Sequence, residues 1–118
     1  MNAELPPQIK NQLAQMQQIQ QQAQAIATQK NQVEITLKET DLALEELGKL
    51  ESDAVVYRAI GNLLMKTERD TTKDFLKEKK DTLDLRMQTL ARQEERVQKR
   101  FQQLQEQLKQ AMGNSPAQ

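Results

Sequence analysis

The sequence contains neither cysteine nor histidine, and these absences remove several kinds of chemistry. They exclude disulfides, thiolate metal sites, thiol nucleophiles and histidine-based catalytic triads. No glycine-rich phosphate loop is present either, so we expect no nucleotide site. We therefore predict no catalytic, cofactor-binding or metal-binding residues and no enzymatic activity. The lack of cysteine is also compatible with the cytoplasmic location that we expect.

Large apolar side chains and long apolar runs are scarce as well. Aromatic residues make up 3% and hydrophobic residues 36% of the 118 residues, which is little for a thick globular core. The longest apolar runs, such as 63–65, are far too short to cross a bilayer, so we expect no membrane contact. Charged residues reach 29% with a formal net charge of zero. This balance favours a narrow helical seam and disfavours a basic arm that binds nucleic acid.

Two long segments, 7–47 and 72–112, repeat apolar residues with the 3.5-residue period of a coiled coil. All three prolines lie near the chain ends, outside both segments or at their edge. Because the segments are equally long and joined by a link, we predict a long antiparallel two-helix coiled coil. The first predicted seam consists of Ile9, Gln12, Met16, Ile19, Ala23, Ile26, Lys30, Val33, Leu37, Thr40, Leu44 and Leu47. The second consists of Leu76, Lys80, Leu83, Met87, Leu90, Glu94, Val97, Phe101, Leu104, Leu108 and Ala111.

The charged seam positions Lys30, Lys80 and Glu94 have two interpretations. Their stems can pack while their heads reach water, or they can fix the register of the two helices. A register with Leu47 opposite Leu76 places Lys30 near Gln93 and Glu94, where Lys30 and Glu94 could pair. Beyond the seams, Gly48 and Gly113 suit helix C-termini closed by a left-handed residue.

The link between the helices predicts a β-hairpin over residues 54–67. Two partly β-branched runs flank Gly61-Asn62, which indicates a type II′ turn with Ile60 opposite Leu63. A helical link is the alternative. A lone hairpin with open edges is marginal in water, so we expect it to join hairpins of other subunits. The residues predicted to mediate this oligomerisation are Val55, Val56, Tyr57, Ile60, Gly61, Leu63, Leu64 and Met65.

Apolar residues also collect at the helix ends far from the predicted hairpin. Ordinary frayed termini are one interpretation. The other is an adaptable apolar grip on non-native chains, because unbranched Met and Leu fit many partners. We call this set the tip residues: Leu5, Ile9, Leu13, Met16, Ile19, Leu104, Leu108 and Met112.

The two predicted helices are equally long, and the first has about five heptads. Between them lies the run Val56-Tyr57-Arg58-Ala59-Ile60-Gly61-Asn62-Leu63-Leu64-Met65-Lys66. This arrangement resembles beta-type subunits of prefoldin, particularly archaeal ones. The resemblance covers roughly residues 5–112 and implies that 1–118 is a single prefoldin-like domain. It implies an ATP-independent chaperone without cofactors, in which two alpha-type and four beta-type subunits form a hetero-hexamer. Their hairpins would form an intersubunit β-barrel. Their tips would capture unfolded proteins and deliver them to a group II chaperonin. The alternative function is a structural or tethering coiled coil that binds one specific helical partner.

Overall fold

The structure, a computed structural model, describes residues 5–113. In chain order it contains helix α1 (Pro7–Gly48), strands β1 (Val55–Ile60) and β2 (Leu63–Glu68), and helix α2 (Arg69–Gly113). The predicted fold class of two long helices joined by a β-hairpin is confirmed, and the alternative of a helical link is wrong. Neither described helix has a segment apolar enough, over sufficient length, to cross a membrane.

The hairpin has the register that its turn sequence predicts. The strands pair antiparallel with Ile60 opposite Leu63 and Tyr57 opposite Lys66. Gly61 has a φ of 56°, whereas no described residue other than glycine has a positive φ. A positive φ at the first turn position alone distinguishes type II′ from type I′, which needs positive φ at both. The Gly-Asn order therefore determines both the turn and the pairing of the strands.

The first helix ends without the left-handed glycine that its sequence predicts. Gly48 and Gly113 are the last residues of α1 and α2, as predicted, but Gly61 is the only described glycine with a positive φ, so the predicted left-handed conformation is wrong. Two i→i+3 hydrogen bonds close the end of α1 instead, from Lys49 N to the Glu46 carbonyl (3.2 Å) and from Leu50 N to the Leu47 carbonyl (3.1 Å). This tightened last turn satisfies carbonyl groups that would otherwise lack an intrahelical partner.

The second helix begins directly after β2, three residues before the predicted position Thr72. The Thr72 hydroxyl donates to the Glu68 carbonyl (2.8 Å), which places Thr72 within the first turn instead of before it. Arg69 fixes this start because its Nη1 donates to the Leu50 carbonyl (2.6 Å) and its Nη2 pairs with Asp70 (2.9 Å). The guanidinium thus ties the beginning of α2 to the chain that leaves α1.

Contacts divide the chain into two units. The hairpin unit is residues 31–88, and the terminal unit comprises the described parts of 1–30 and 89–118. In the hairpin unit, Arg69 meets Leu50 and Lys80 meets Asp41, so the helices run antiparallel. Every predicted seam position in both units is buried or half-buried, as a coiled coil requires.

Candidate protein-binding surfaces

The hairpin leaves most of its apolar side chains exposed. Val56 and its cross-strand partner Thr67 are half-buried, whereas the rest of both strands faces solvent. The exposed large residues are Val55, Tyr57, Ile60, Leu63, Leu64 and Met65. Leu64 is the most exposed of them and retains 74% of its accessible surface. The sheet has two strands, so each strand also has an unpaired edge within the described chain. Such a surface can add strands or bury apolar area against a partner.

One cation–π contact anchors the hairpin to the second helix. The Arg58 guanidinium carbon lies 3.8 Å from the centroid of the Phe75 ring. Arg58 is on β1 and Phe75 is in the second turn of α2, so the contact limits rotation of the hairpin about the helix start. Sequence reasoning missed this pair, because neither residue belongs to a seam or to the turn.

The eight tip residues fall into three groups by exposure. Ile9 and Leu104 are buried in the seam of the terminal unit, and Leu104 keeps only 1% of its surface. Met16, Ile19 and Leu108 are half-buried seam residues. Leu5, Leu13 and Met112 are exposed to 42%, 40% and 50%. The last group therefore provides the apolar surface that a partner could contact without any opening of the seam.

An apolar groove of about 500 Å³ runs beside the same seam, further along both helices. Ile19, Ala23 and Ala27 of α1 line one wall, and Val97 and Phe101 of α2 line the other. The small alanines leave space next to the large Phe101 ring, so the seam is not closed over by side chains there. Such a groove suits an aliphatic or aromatic side chain of a partner.

Gln12 interrupts the apolar seam between Ile9 and Met16, as its position predicts. Its Oε1 atom is buried and accepts no hydrogen bond from any described residue. An unsatisfied buried acceptor costs about 1–3 kcal/mol. Because Gln12 lies among the tip residues, this cost lowers the stability of the seam next to the exposed apolar side chains.

Two cross-helix ion pairs involve the charged seam residues. Lys30 Nζ lies 3.1 Å from Glu94 Oε1, so the two residues are near each other, as the register predicts, and they form an ion pair. Lys80 Nζ lies 2.7 Å from Asp41 Oδ1, and this hydrogen bond and charge raise the pKa of Lys80 above its ordinary value of 10.5. Both pairs are partly solvated, so they contribute to helix register more than to stability.

Two exposed apolar residues lie on the outer side of α1 and escaped the seam analysis. Ile35 and Leu42 are seven residues apart and occupy the heptad position farthest from the seam. The sequence contains a signal for them, namely a second apolar repeat two residues out of phase with the predicted seam.

Comparisons with known proteins agree with this arrangement. A family model described as "Prefoldin subunit" matches residues 10–115. The prefoldin subunit beta of Methanococcoides burtonii is 62% identical over 113 residues, which cover 96% of this chain and 97% of the relative. That of Pyrococcus furiosus is 38% identical over 108 residues, or 92% of each chain.

A solved structure shows the same fold. The crystal structure of the prefoldin beta subunit from Thermococcus strain KS-1 superposes with a TM-score of 0.86 at 38% identity. The match covers 96% of this chain and 98% of the other. Because sequence and structure agree over nearly the whole length, the chain belongs to the prefoldin family of chaperone subunits.

Proposed function

We propose that the chain is a subunit of an ATP-independent holding chaperone that captures unfolded proteins and delivers them to a group II chaperonin. The observation that carries this proposal is the exposed apolar surface of Leu5, Leu13 and Met112 in a unit whose neighbouring seam is interrupted by Gln12. Apolar burial is non-directional, so flexible Leu and Met side chains can bind many unfolded sequences.

The proposal divides the tip residues by role. Leu5, Leu13 and Met112 contact the client directly, and Met16, Ile19 and Leu108 add their half-exposed edges. The buried pair Ile9 and Leu104 aligns the helices beneath that surface. Several such weak contacts on separate subunits add through avidity, which gives useful affinity without a specific pocket.

Family membership implies assembly with other prefoldin subunits, and we propose a specific form for it. Two alpha-type and four beta-type subunits form a hetero-hexamer, and their hairpins close into an intersubunit β-barrel. The unpaired strand edges and the exposed side chains of Ile60, Leu63 and Leu64 support this arrangement, because a lone hairpin is marginal in water. The proposal includes a cytoplasmic location and no catalysis, cofactor or nucleic acid.

The test is suppression of aggregation of unrelated denatured proteins by the chain assembled with its alpha-type partner. Protection should be equal with ATP, without ATP and with a chelator. Removal of residues 1–12 together with 107–118 should abolish most protection and leave the number of subunits in the assembly unchanged. The matched control replaces the exposed outer residues Ile35 and Leu42 with Ser, which removes apolar surface elsewhere and should leave protection intact. Full protection by the trimmed assembly would place client binding outside the removed segments.

A tethering coiled coil is the second candidate, favoured by exposed Ile35 and Leu42 on one side of α1. Apolar residues seven apart off the seam can bind one further helix. A tether should bind one folded partner through this side and ignore denatured proteins. The same Ile35 and Leu42 variant therefore separates the candidates, because it would abolish tethering and spare chaperone activity.

A further inference from the structure

The zero net charge of the chain conceals an uneven distribution. From residue 11 to residue 29, α1 carries no charged side chain and is rich in glutamine. The described residues of the terminal unit contain seven cationic side chains: Lys10, Lys30, Arg92, Arg96, Lys99, Arg100 and Lys109. They contain three carboxylates: Glu94, Glu95 and Glu106. The terminal unit is thus basic, whereas carboxylates outnumber cations in the hairpin unit.

The carboxylates of the terminal unit are already engaged. Glu94 pairs with Lys30 at 3.1 Å, and Glu95 lies 3.6 Å from Lys99 on the same helix. Glu106 accepts a hydrogen bond from Gln110. Glu94 and Glu95, the two carboxylates nearest in sequence to Arg92 and Arg96, are thus both paired with lysines, and residues 11–29 of α1 offer no further carboxylate.

Three arginines of α2 are left over and lie in one row. Arg92, Arg96 and Arg100 are exposed, and no ion pair or hydrogen bond joins them to other residues of the described chain. Residues four apart are neighbours on a helix surface, and each step advances about 6 Å along the axis. The three arginines therefore occupy one row about 12 Å long on the surface of α2, which we call the arginine ridge.

We propose that the arginine ridge is a docking surface for an acidic polypeptide segment of a partner protein. Guanidinium is a planar fork that binds carboxylate through two parallel hydrogen bonds, and side chains of an extended or helical acidic segment can meet it at this spacing. Arg96 lies beside Gln22 and Ala25 in the uncharged stretch of α1, which offers no carboxylate to compete with such a segment. This contact is separate from the apolar tip contacts, so one subunit can hold an unfolded client and an acidic partner through different chemistry.

The surface suits carboxylates better than single-stranded nucleic acid. Binding of single strands combines a basic groove with aromatic platforms on which bases stack. The one aromatic residue of the described terminal unit is Phe101, which is half-buried in the seam on the groove side. Three arginines also neutralise few phosphates, so binding of a nucleic acid would release few counterions and gain little free energy from their release.

The experiment measures fluorescence anisotropy of a labelled glutamate-rich peptide with the full chain assembled with its alpha-type partner. A lysine-rich peptide and a single-stranded DNA of equal length serve as alternative probes. The test variant replaces Arg92, Arg96 and Arg100 with Gln, which retains helix propensity. The matched control replaces the exposed Lys38, Lys77 and Lys79 of the hairpin unit with Gln, which removes the same charge elsewhere.

The wild-type assembly should bind the glutamate-rich peptide more tightly than the other probes, and more weakly as salt increases. Loss of three exposed charge contacts should lower that affinity by about tenfold in the arginine variant, with the lysine control close to wild type. Equal affinity of both variants, or tighter binding of the DNA, would overturn the proposal. Aggregation suppression by the arginine variant should stay normal, so failure of peptide binding is distinguishable from failure of the proposed chaperone function.

Discussion

Substitution of one buried and one exposed tip leucine should separate stability from client capture. Leu104 keeps 1% of its accessible surface and fills the seam, whereas Leu13 keeps 40%. Truncation of a buried leucine to alanine costs about 2–5 kcal/mol. Because a two-helix seam is one side-chain layer thick, its neighbours can close on the gap, and we expect about 2–3 kcal/mol for Leu104→Ala. For a chain of this size this corresponds to a fall in Tm of roughly 10–20 °C.

Leu13→Ser should behave in the opposite way. It removes apolar surface that already faces water, so we expect the free energy of unfolding to change by less than about 1 kcal/mol. The hydroxyl would, however, remove an apolar contact with the client. Aggregation suppression should therefore decrease in Leu13→Ser and stay near normal in Leu104→Ala, provided that the assay runs well below the Tm of both variants.

Helicity at 222 nm during heating and light scattering of a denatured client measure the two effects, at one fixed protein concentration because assembly shifts the apparent stability. Leu90→Ala is the matched control, since Leu90 is fully buried in the same unit and is not a tip residue. It should reproduce the fall in Tm seen for Leu104→Ala. The reasoning is refuted if Leu13→Ser lowers Tm as much as Leu104→Ala, or if fully folded Leu104→Ala alone loses protection.

Three further perturbations test the hairpin and the charged seam. Ile60→Lys with Leu63→Lys should release small oligomers or monomers with helicity largely retained, and an unchanged native mass would contradict assembly through the hairpin. Glu94→Gln should lower stability by about 0.5–1 kcal/mol in chemical denaturation, because its partly solvated pair is weak; a loss beyond about 3 kcal/mol would show a desolvated pair instead. The raised pKa of Lys80 means that its contribution to stability is fully present below 10.5 and is lost as pH rises through the higher folded-state value. Thermal unfolding should therefore show a steeper loss above pH 10.5 in the wild type than in Asp41→Asn, and parallel curves would argue against the ion pair.

The parts of this fold that follow a repeat could be predicted from the sequence. A 3.5-residue repeat places every seam residue on one side of each helix, and the Gly61-Asn62 pair determines the turn and its register. Heptad spacing also placed Lys30 near Glu94, because register relates residues 64 apart in the chain, although it did not decide whether the two side chains pair. These features depend on periodicity, which local sequence records directly.

Single contacts between non-repeating residues were not predictable. The bond from Arg69 to the Leu50 carbonyl and the stacking of Arg58 on Phe75 depend on side-chain conformations at the junction of hairpin and helix. The arginine ridge was hidden because overall net charge averages over the chain, whereas pairing depends on which carboxylates lie nearby. Exposure of individual tip residues likewise depends on how far each lies around the helix from the seam.

The sequence separation of the cross-helix contacts has a consequence for the order of folding. The Arg69–Leu50 bond closes a loop of 19 residues, and the Lys30–Glu94 pair closes one of 64. Loop-closure entropy grows with the logarithm of length, so direct formation of the longer loop costs about 1 kcal/mol more. The charge-free helix from 11 to 29 has no ion pairs of its own to hold it before α2 arrives. Folding should accordingly nucleate at the hairpin and proceed like a zipper towards the chain ends, with φ-values high around Leu47 and Leu76 and low around Ile9 and Leu104; the reverse gradient would refute this order.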